Sequence, residues 1–565
     1  MTLDIPTATA MVPGHADAEV LACDEGLSFW GGVDPDTGVI IDAHHPNQGA
    51  SLAGRIVLMP TSRGSCSGSG VLLQLARDGH APAALVFREE ESILTLGAMI
   101  AEQLFAARVV VLRCTEAIYD DLAGASHATI TTDTLRFGSH SIPLEKLHPD
   151  MLALSDMDRR MLDGHEGDAL AVAMNILCRM ATAQGAQGLI DVERGHIDGC
   201  ILAHDANLDF AEKMHQMGAR TRIPTTINAI SVDRENWQSQ GVVPTFGNKA
   251  SRLADAYVKM GARPTFTCAP YLLEEVPVLG EMIGWSESNA VIYANSVIGA
   301  RTVKHPDYLD LFIAMTGRAP NTGVYLDDNR LPEHVIVVTL PETYEDALWP
   351  MLGWLAGVRS PNAVPLLTGL EKARPSEDDL KALCAAFGTT SAAPLIHLRG
   401  HTPEGGLAPR DGHVQSVITP TDLGVVWRDF NKADGRVDLV AIGSPHASLV
   451  ECRKFADLLE GQKCRTDTIV TVGRNVLSAA NAEGIVERLH DADVRIIADI
   501  CWCSITEPVF PPDAKILMTN SGKYAHYAKG LTGRDVRFGG LADCARAAIT
   551  GSAKAGLPDW LLHEV

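Results

Sequence analysis

The alternation of apolar and polar stretches predicts an α/β architecture in which strands are followed by loops and helices. LAGRIVLMP, from Leu52, is typical of a short strand, TSRGSCSGSG of a loop, and VLLQLARDG of a helix that ends at Gly79. Further strands are predicted in APAALVF (81–87) and ARVVVL (107–112), and HSIPL closes the region near residue 145. We therefore predict a first domain over 1–148 and a large second domain over 149–565.

The large domain begins with a helical pattern and ends with three similar units. DMDRRMLDGHEGDALAVAMNILCRMATAQGA has apolar residues at helical spacing, and Asp156 is expected to cap its first turn. Near the end of the chain VDLVAIG precedes SPHA, VRIIAD precedes ICWCSITEP, and AKILM precedes TNSGK. Because ligands of open α/β sheets bind outside the carboxyl ends of strands, we expect these three loops to line one pocket.

Composition and charge narrow the class of protein. Hydrophobic residues make up 46% of the 565 residues and charged residues 21%, which is typical of a globular protein. The net charge of -23 argues against a nucleic-acid partner. The N-terminus lacks the basic and apolar regions of a signal peptide, and Arg179 interrupts the apolar stretch 169–190. We expect a cytoplasmic protein that acts on a small molecule and has no membrane partner.

The segment 62–70, which we call the serine loop, is the first candidate for chemistry. It reads Ser-Arg-Gly-Ser-Cys-Ser-Gly-Ser-Gly and leads into a predicted helix. Backbone N–H groups at such a point can approach an anion, and Arg63 can bind a carboxylate. A serine hydroxyl in this field could act as a base if its ionised form were strongly stabilised. A turn that only cradles phosphate is the alternative.

Twelve cysteines are scattered along the chain without the spacing of a disulfide scaffold or a zinc ribbon. Cys268 follows the strand-like PTFT, Cys501 and Cys503 follow VRIIAD, and Cys452 lies one helical turn beyond SPHA. The ends of these strands could bring the four thiols together as metal ligands. Buried thiols with no ligand role are the alternative.

Polar residues also interrupt apolar segments of the large domain. Buried amides and hydroxyls are costly unless they are paired, so such clusters indicate either a hydrogen-bonded core or a substrate pocket. The clusters are His196 and Asp198, Thr225, Thr226 and Asn228, Glu287, Ser288 and Asn289, Asn295 and Ser296, and Thr519, Asn520, Ser521 and Lys523.

With these motifs the chain resembles the aconitase X family over nearly its whole length. The serine loop is similar to the RGS-x-SGS signature of the family's small subunit. PTTIN, ESNAVIYANSVIGART, GSPHAS and TNSGKYAHY are similar to segments of its large subunit. The resemblance implies an aconitase-like α/β fold with a β/β/α swivelling N-terminal domain. The small-subunit part is fused ahead of the large-subunit part, an order that resembles bacterial members that act on cis-3-hydroxy-L-proline.

The resemblance also implies roles for particular residues. Ser65 matches the catalytic serine, and Cys268 and Cys501 match ligands of an iron–sulfur cluster, expected to be [2Fe–2S], or of iron alone. Some members have Cys in GCPH where this chain has Ser444, so the third ligand is expected to be Cys452 or, alternatively, Cys503.

The implied reaction is the dehydration of cis-3-hydroxy-L-proline to 1-pyrroline-2-carboxylate. The iron centre would act as a Lewis acid on carboxylate and hydroxyl while Ser65, aided by Arg63, takes the Cα proton. The alternatives are dehydration of mevalonate 5-phosphate, as in the archaeal branch, and a non-catalytic iron–sulfur redox sensor. Candidate substrate-binding residues are Ser288, Asn289, Ser296, Arg301 and Lys523.

Overall fold

The computed structural model describes residues 8–42, 44–63, 66–433 and 435–562. Its first unit is one mixed sheet in the order β8-β7-β6-β2-β3-β4-β5-β1-β9, in which β2 to β5 run parallel to one another. The strands are β1 (Ala8–Val12), β2 (Ala16–Ala22), β3 (Ile56–Leu58), β4 (Ala84–Phe87), β5 (Val110–Cys114), β6 (His127–Ile130), β7 (Thr134–Phe137), β8 (His140–Pro143) and β9 (Glu145–Lys146).

The helices of this unit follow the parallel strands. They are α1 (Phe29–Gly32), α2 (Gly68–Asp78), α3 (Ile93–Phe105) and α4 (Glu116–Ala123). Gly79 ends α2 in the left-handed conformation, as predicted, because a residue without a Cβ adopts that conformation at little cost. The predicted order of strand, serine loop and helix is confirmed, with the helix beginning three residues earlier than its apolar pattern indicated.

The next part of the chain, to about residue 330, is built on a small parallel sheet with the order β12-β11-β13. Its strands are β10 (Leu189–Asp191), β11 (Arg194–Ile197), β12 (Thr225–Ile227), β13 (Ile283–Trp285) and β14 (Arg318–Pro320), of which β10 and β14 form a separate antiparallel pair. Its helices are α5 (Asp156–Leu162), α6 (Asp168–Ala183), α7 (Asp205–Gln216), α8 (Pro244–Lys259), α9 (Ser288–Tyr293) and α10 (Leu309–Thr316). Single-turn 3₁₀ segments are Pro149–Met151, Pro270–Leu272, Gly323–Tyr325 and Asp327–Arg330, and Ala294–Ile298 is π-helical.

The cap of α5 differs from the prediction. Ser155 is the N-cap: its hydroxyl accepts a hydrogen bond from the Asp158 backbone N–H, and the Asp158 carboxylate accepts one from the Ser155 N–H. Asp156 is the first helical residue. A Ser with an acidic residue three positions later satisfies two terminal N–H groups at once, which a single Asp at position 156 cannot do.

Two further parallel sheets complete the chain. The first has the order β17-β16-β15-β18 and the second β21-β20-β19-β22-β23. Their strands are β15 (His334–Val338), β16 (Pro365–Thr368), β17 (His397–Leu398), β18 (Val414–Ile418), β19 (Leu439–Ile442), β20 (Asp467–Val472), β21 (Val494–Ala498), β22 (Ile516–Thr519) and β23 (Asp535–Phe538). The helices are α11 (Leu348–Arg359), α12 (Glu377–Thr390), α13 (Pro420–Phe430), α14 (Leu449–Leu459), α15 (Arg474–Ala482), α16 (Ile485–Asp491), α17 (Gly522–Thr532), α18 (Leu541–Thr550) and α19 (Asp559–Leu562).

The three predicted C-terminal units begin with β19, β21 and β22, which lie in this last sheet with their carboxyl ends at one edge. A parallel bridge between Ile230 and Ile500 joins that edge to the continuation of β12, with the Ile230 N–H donating to the Asp499 carbonyl over 2.7 Å. The carboxyl ends of two separate sheets therefore meet at one place.

The first unit is packed firmly against the rest. One hydrophobic core contains Leu72 of α2 and Leu94 of α3 together with Phe210, Tyr308 and Phe312 of the large part. At the edge of this interface Arg179 of α6 forms an ion pair with Glu102 of α3 over 3.0 Å. Helix α2, which follows the serine loop, is thereby packed against the large part.

Candidate functional site

Three parallel strands present polar side chains on the same face at their carboxyl ends. Alternate residues of a strand share a face, so Asp198 follows His196 of β11 and Asn228 follows Thr226 of β12. His196 Nδ1 and Thr226 Oγ1 lie 2.8 Å apart. Glu287 occupies the equivalent position beyond β13. Three of the polar clusters predicted from the sequence, those at His196, Thr225 and Glu287, are thus brought together.

Glu287 is the centre of one hydrogen-bonded group. Its carboxylate forms an ion pair with Lys523 over 2.8 Å and accepts hydrogen bonds from Asn289 Nδ2 at 2.5 Å and Asn228 Nδ2 at 3.2 Å. Burial alone would raise the pKa of Glu287, but the ammonium of Lys523 and these donors hold it at about 2. The structure therefore places an ionised carboxylate and a matched ammonium side by side.

Cys268, Cys501 and Cys503 lie together beside this ion pair, and we call them the thiol cluster. Cys268 and Cys501 are buried and pack against Ala229, with Cys503 alongside. The neighbouring thiol of Cys268, together with burial, raises the pKa of Cys501. Burial disfavours the ammonium of Lys523, but the carboxylate of Glu287 and the three thiols, when ionised, raise its pKa.

The loops that carry these residues converge as predicted. His446, in the SPHA loop, donates its backbone N–H to Cys268 Sγ over 3.3 Å, and its ring contacts Thr267 Oγ1 at 3.1 Å and the Ile500 carbonyl at 2.9 Å. Burial lowers the pKa of His446 to about 4, so its ring is neutral at ordinary pH. This imidazole ties together the loops that follow β19 and β21 and the segment that follows α8.

The chemistry of the thiol cluster fits an iron–sulfur centre. Three soft sulfur donors from two loops are gathered in a mostly buried place, and Lys523 offers positive charge to offset ionised thiolates. Among the described residues no group of three possible ligands has the geometry of a finished metal site. The fit consequently rests on the identity and proximity of the donors.

The serine loop reaches this region from the first unit. Gly64 and Ser65 lie outside the described residues. Ser67 donates to Asp307 Oδ2 over 2.7 Å, and Cys66 is buried. Burial raises the pKa of the Cys66 thiol. The positive charge of Lys304 lowers this pKa, and the negative charges of nearby carboxylates raise it, namely those of Asp307, Asp198 and Glu287. The loop therefore lies within electrostatic reach of the polar groups at the ends of β11 and β13.

A second group of carboxyls lies beneath the serine loop. Burial, together with the charge of Asp310, raises the pKa of Asp307 to about 7, and burial raises that of Asp310 to about 6. Burial and the charges of Asp307 and Glu287 raise the pKa of Asp198 well above its usual range. Perturbed carboxyls of this kind cluster at functional sites.

Several residues predicted for the site have other partners. Arg63 pairs with Glu25 over 3.0 Å and is more than half exposed. Arg301 binds the Tyr325 carbonyl over 3.0 Å and pairs with Asp327. Both guanidinium groups therefore have protein acceptors in this structure, and their roles in substrate binding stay predictions.

The remaining predicted residues divide between the site and the core. Asn289 and Lys523 contact Glu287, and Ser288 is the half-buried first residue of α9. Ser296 accepts a hydrogen bond from the Ile396 backbone N–H over 2.9 Å within the core. Cys452 packs in a separate hydrophobic core with residues of α14 and α18, so the structure brings Cys503, the alternate choice, to Cys268 and Cys501.

Sequence reasoning missed Lys304, Asp307 and His446. Asp307 and His446 are buried polar residues, and their loops touch the serine loop and the thiol cluster respectively. Lys304 and Asp307 lie just after the ANSVIGART run, in the segment VKHPD. Their position directly after a distinctive run was the feature of the sequence that could have identified these two charged residues as candidates.

Models of one protein family match nearly the whole chain. The model described as Aconitase X swivel domain matches residues 5–137, and Aconitase X first domain matches 151–328. The models of the Aconitase X second and third domains match 332–428 and 437–550.

Curated relatives match over similar lengths. Cis-3-hydroxy-L-proline dehydratase of Pseudomonas aeruginosa is 45% identical over 98% of this chain and 98% of its own length. The enzyme of the same name from Hypocrea jecorina is 42% identical over 98% of this chain and 96% of its own. The large subunit of phosphomevalonate dehydratase from Methanothermobacter thermautotrophicus is 32% identical over 68% of this chain and 96% of its own.

A solved structure shares the fold. The crystal structure of Thermococcus kodakaraensis aconitase X in its holo-form superposes with a TM-score of 0.64 at 30% identity, covering 70% of this chain and 100% of that one. Within the described part of the chain, no helix has both the length and the apolar character needed to cross a membrane.

Proposed function

This chain belongs to the aconitase X family and is a hydro-lyase, and on that premise we propose that it dehydrates cis-3-hydroxy-L-proline to 1-pyrroline-2-carboxylate. The observation that carries the proposal is the contact between Ser67 of the serine loop and Asp307, beside the ends of β11 and β13. The near full-length similarity to two dehydratases named for this substrate supports the choice.

Cys268, Cys501 and Cys503 would hold an iron–sulfur centre, of the [2Fe–2S] type or as iron alone. Such a group supplies a Lewis acid that polarises a carboxylate and weakens the bond to a hydroxyl. The adjacent ammonium of Lys523 and the backbone N–H of His446 would stabilise the charge of the thiolates.

Ser65 is the proposed base for the Cα proton. A serine hydroxyl must lose its own proton first, which requires positive charge and N–H donors close by. The N-terminus of α2 begins three residues later, and the ammonium of Lys304 acts on the neighbouring Cys66. These groups, together with Arg63, would stabilise the alkoxide.

The large part supplies the groups that orient the substrate. Asn289 and Lys523 are held against Glu287, so their positions are fixed before a substrate arrives. The proton moves from Cα to Ser65, the C3–O bond breaks, and the departing hydroxide takes up a proton to leave as water, which restores the Ser65 alkoxide when that proton comes from Ser65. The enamine then tautomerises to 1-pyrroline-2-carboxylate. The first unit, closed over the site, excludes water during these steps.

Dehydration of mevalonate 5-phosphate is the second candidate, because the large subunit of a phosphomevalonate dehydratase is 32% identical. A phosphate ester needs several cationic contacts. Arg63 and Arg301, the guanidinium groups predicted for anion binding, are engaged by Glu25 and Asp327. This favours the amino-acid substrate.

An assay of both substrates tests the proposal. Protein purified without oxygen and loaded with iron is incubated with cis-3-hydroxy-L-proline or with mevalonate 5-phosphate, and product formation is followed by NMR. We expect 1-pyrroline-2-carboxylate from the first and no reaction of the second. Turnover of the phosphate ester alone would overturn the assignment of substrate.

A further inference from the structure

The two segments that carry the thiol cluster are joined through one buried histidine. Cys268 lies in the segment that follows α8, whereas Cys501 and Cys503 lie in the loop that follows β21. Side chains that are so far apart in the chain form a constant site only if the two segments are held at a fixed spacing. His446, in the loop that follows β19, is fully buried and contacts both segments.

The hydrogen bonds of the His446 ring define its tautomer. Nε2 lies 2.9 Å from the carbonyl oxygen of Ile500, which can only accept, so Nε2 carries the single proton of the neutral ring. Nδ1 is then an acceptor, and the hydroxyl of Thr267 donates to it over 3.1 Å. The same hydroxyl oxygen accepts the backbone N–H of Ala269 over 3.1 Å. Both ring nitrogens are therefore engaged by the protein.

These contacts are made directly beside the cysteines. Thr267 directly precedes Cys268 in the sequence. In the same way Ile500 directly precedes Cys501. The backbone N–H of His446 also donates to Cys268 Sγ over 3.3 Å. One residue thus orients the sulfur of Cys268 and fixes the backbone next to both cysteines.

The backbone of His446 is itself held in place. Its carbonyl accepts a hydrogen bond from Lys381 Nζ over 3.4 Å, and the next N–H, that of Ala447, donates to the Thr471 carbonyl over 3.0 Å. Lys381 is buried and forms an ion pair with Asp378 over 3.0 Å. These contacts leave the histidine little freedom to move.

We propose that His446 is a positioning residue for iron: it sets the spacing of Cys268 and Cys501 and orients the sulfur of Cys268. This inference rests on the proposed function, in which the thiol cluster holds iron, and deepens it. Residues that hold metal ligands in place fix the orientation of those ligands, and their loss commonly weakens metal binding by about 10- to 100-fold. Hydrogen bonds to the sulfurs also tune the electronic properties of an iron–sulfur centre.

A role in folding alone predicts a different result. Replacing a histidine that only fills space would lower Tm but leave the iron affinity and the absorption spectrum of the folded protein unchanged. Replacing a positioning residue changes the affinity for iron and the thiolate-to-iron absorption per bound iron, because the sulfur ligands shift. Neither of these two measurements depends on turnover.

Three substitutions at position 446 test the ring contacts. His446→Leu removes both of them, His446→Gln keeps an N–H donor near the position of Nε2, and His446→Asn keeps an acceptor near that of Nδ1. The full-length proteins are purified without oxygen, and their iron affinity is measured by competition with a chelator. We expect His446→Leu to weaken iron binding by about 10- to 100-fold and to change the spectrum, with Gln and Asn between Leu and wild type.

His397→Gln is the matched control. His397 is also fully buried, and its Nε2 lies 2.8 Å from the Arg330 carbonyl, but it belongs to β17 in another sheet. This variant should keep the wild-type iron affinity and spectrum. A loss of iron affinity as large as that of His446→Gln would overturn the inference.

A second pair of variants decides the question if the His446 variants do not fold. Thr267 is buried; Thr267→Val keeps its shape without the hydroxyl, whereas Thr267→Ser keeps the hydroxyl. We expect Thr267→Val to weaken iron binding by about 5-fold or more, because it removes the donor to His446, and Thr267→Ser to stay within about 2-fold of wild type. Equal iron affinities of the two variants would overturn the inference.

The outcomes separate this inference from the proposed function. Wild-type iron affinity and spectrum in His446→Leu overturn the inference, whether or not Tm falls, and turnover of cis-3-hydroxy-L-proline by wild type then leaves the function standing. Weaker iron binding with a changed spectrum in His446→Leu supports the inference, and the function is overturned separately if iron-loaded wild type does not turn over that substrate.

Discussion

At the scale of single residues, the position of each cysteine decides which ones can act together. Cys503 follows Cys501 by two positions in one loop, and both lie against Cys268. Cys452 lies on the first turn of α14, which points it into the core beneath the helix. Spacing along the chain could not separate the two, because the direction of a helical side chain depends on which face of the helix is buried.

The two cysteines give a matched pair of variants. Cys503→Ser is expected to lose most of the bound iron, because it removes one of three soft donors. Cys452→Ser changes a buried thiol away from the cluster and should retain wild-type iron. Iron and sulfide content of anaerobically purified protein measures both. Full iron in Cys503→Ser with loss in Cys452→Ser would reverse the ligand assignment.

Asp307 should affect stability in a way that depends on pH. Its pKa is raised to about 7 by burial, whereas in an unfolded chain it is about 4. Between these values the folded protein keeps a proton that the unfolded chain has lost, so the contribution of Asp307 to stability falls as pH rises and levels off above about 7.

Asp307→Asn removes this titration. We expect the variant to raise Tm relative to wild type, and to do so by more at about pH 8 than at about pH 5, since only wild type buries a charge at the higher pH. Asp513→Asn should show no such difference because position 513 is exposed. Equal shifts at both pH values would mean that Asp307 does not titrate as described.

At the scale of elements, α2 is the support of the serine loop. Gly70 of α2 lies so close to the large part that an added Cβ would stand 2.8 Å from Tyr308 Oη and 3.2 Å from Asn207 Nδ2. Tyr308 is fully buried, which leaves little room for it to move. Only glycine allows this helix to approach so closely.

Gly70→Ala is therefore expected to displace the serine loop and reduce kcat by at least about 10-fold, since misplacement by about 1 Å can cost about 100-fold. Gly124→Ala, in the same unit, is the control, because its added Cβ would meet only Asp121 O at 3.6 Å. Steady-state kinetics and Tm are compared for the two variants. A Gly70→Ala enzyme with unchanged kcat would argue against a role for this contact.

The elements themselves were largely predictable, and their pairing was not. Apolar runs such as VDLVAIG and AKILM became β19 and β22 of one sheet, and Ser444, Cys501 and Ser521 lie in the loops that follow β19, β21 and β22. Which side chains those loops bring together depends on strand order and on the bridge at Ile230, both of which are tertiary contacts. For the same reason Arg301 resembled a substrate ligand in the sequence but pairs with Asp327 in the structure.

At the scale of the whole molecule, the first unit covers the site that it completes. Its contacts with the large part include the Glu102–Arg179 ion pair, whose side chains are 25% and 14% exposed. We expect a substrate to reach the polar groups at the ends of β11 and β13 when these contacts open. The fraction of closed molecules should then set the apparent affinity.

Arg179→Glu weakens closure without touching the site. We expect KM to rise several-fold while kcat changes little, because the closed state reacts as before once it forms. Adding Glu102→Arg restores an opposite-charge pair and should return KM toward wild type. A double variant no better than the single one would show that the ion pair does not control closure.

In the proposed mechanism Ser65 removes the Cα proton while the thiol cluster holds the iron. The most direct test is the turnover number of Ser65→Ala on cis-3-hydroxy-L-proline, with iron content measured on the same sample. We expect wild-type iron and a rate lowered by about 100- to 10,000-fold, because a general base is lost. Near-normal turnover by this variant would contradict it.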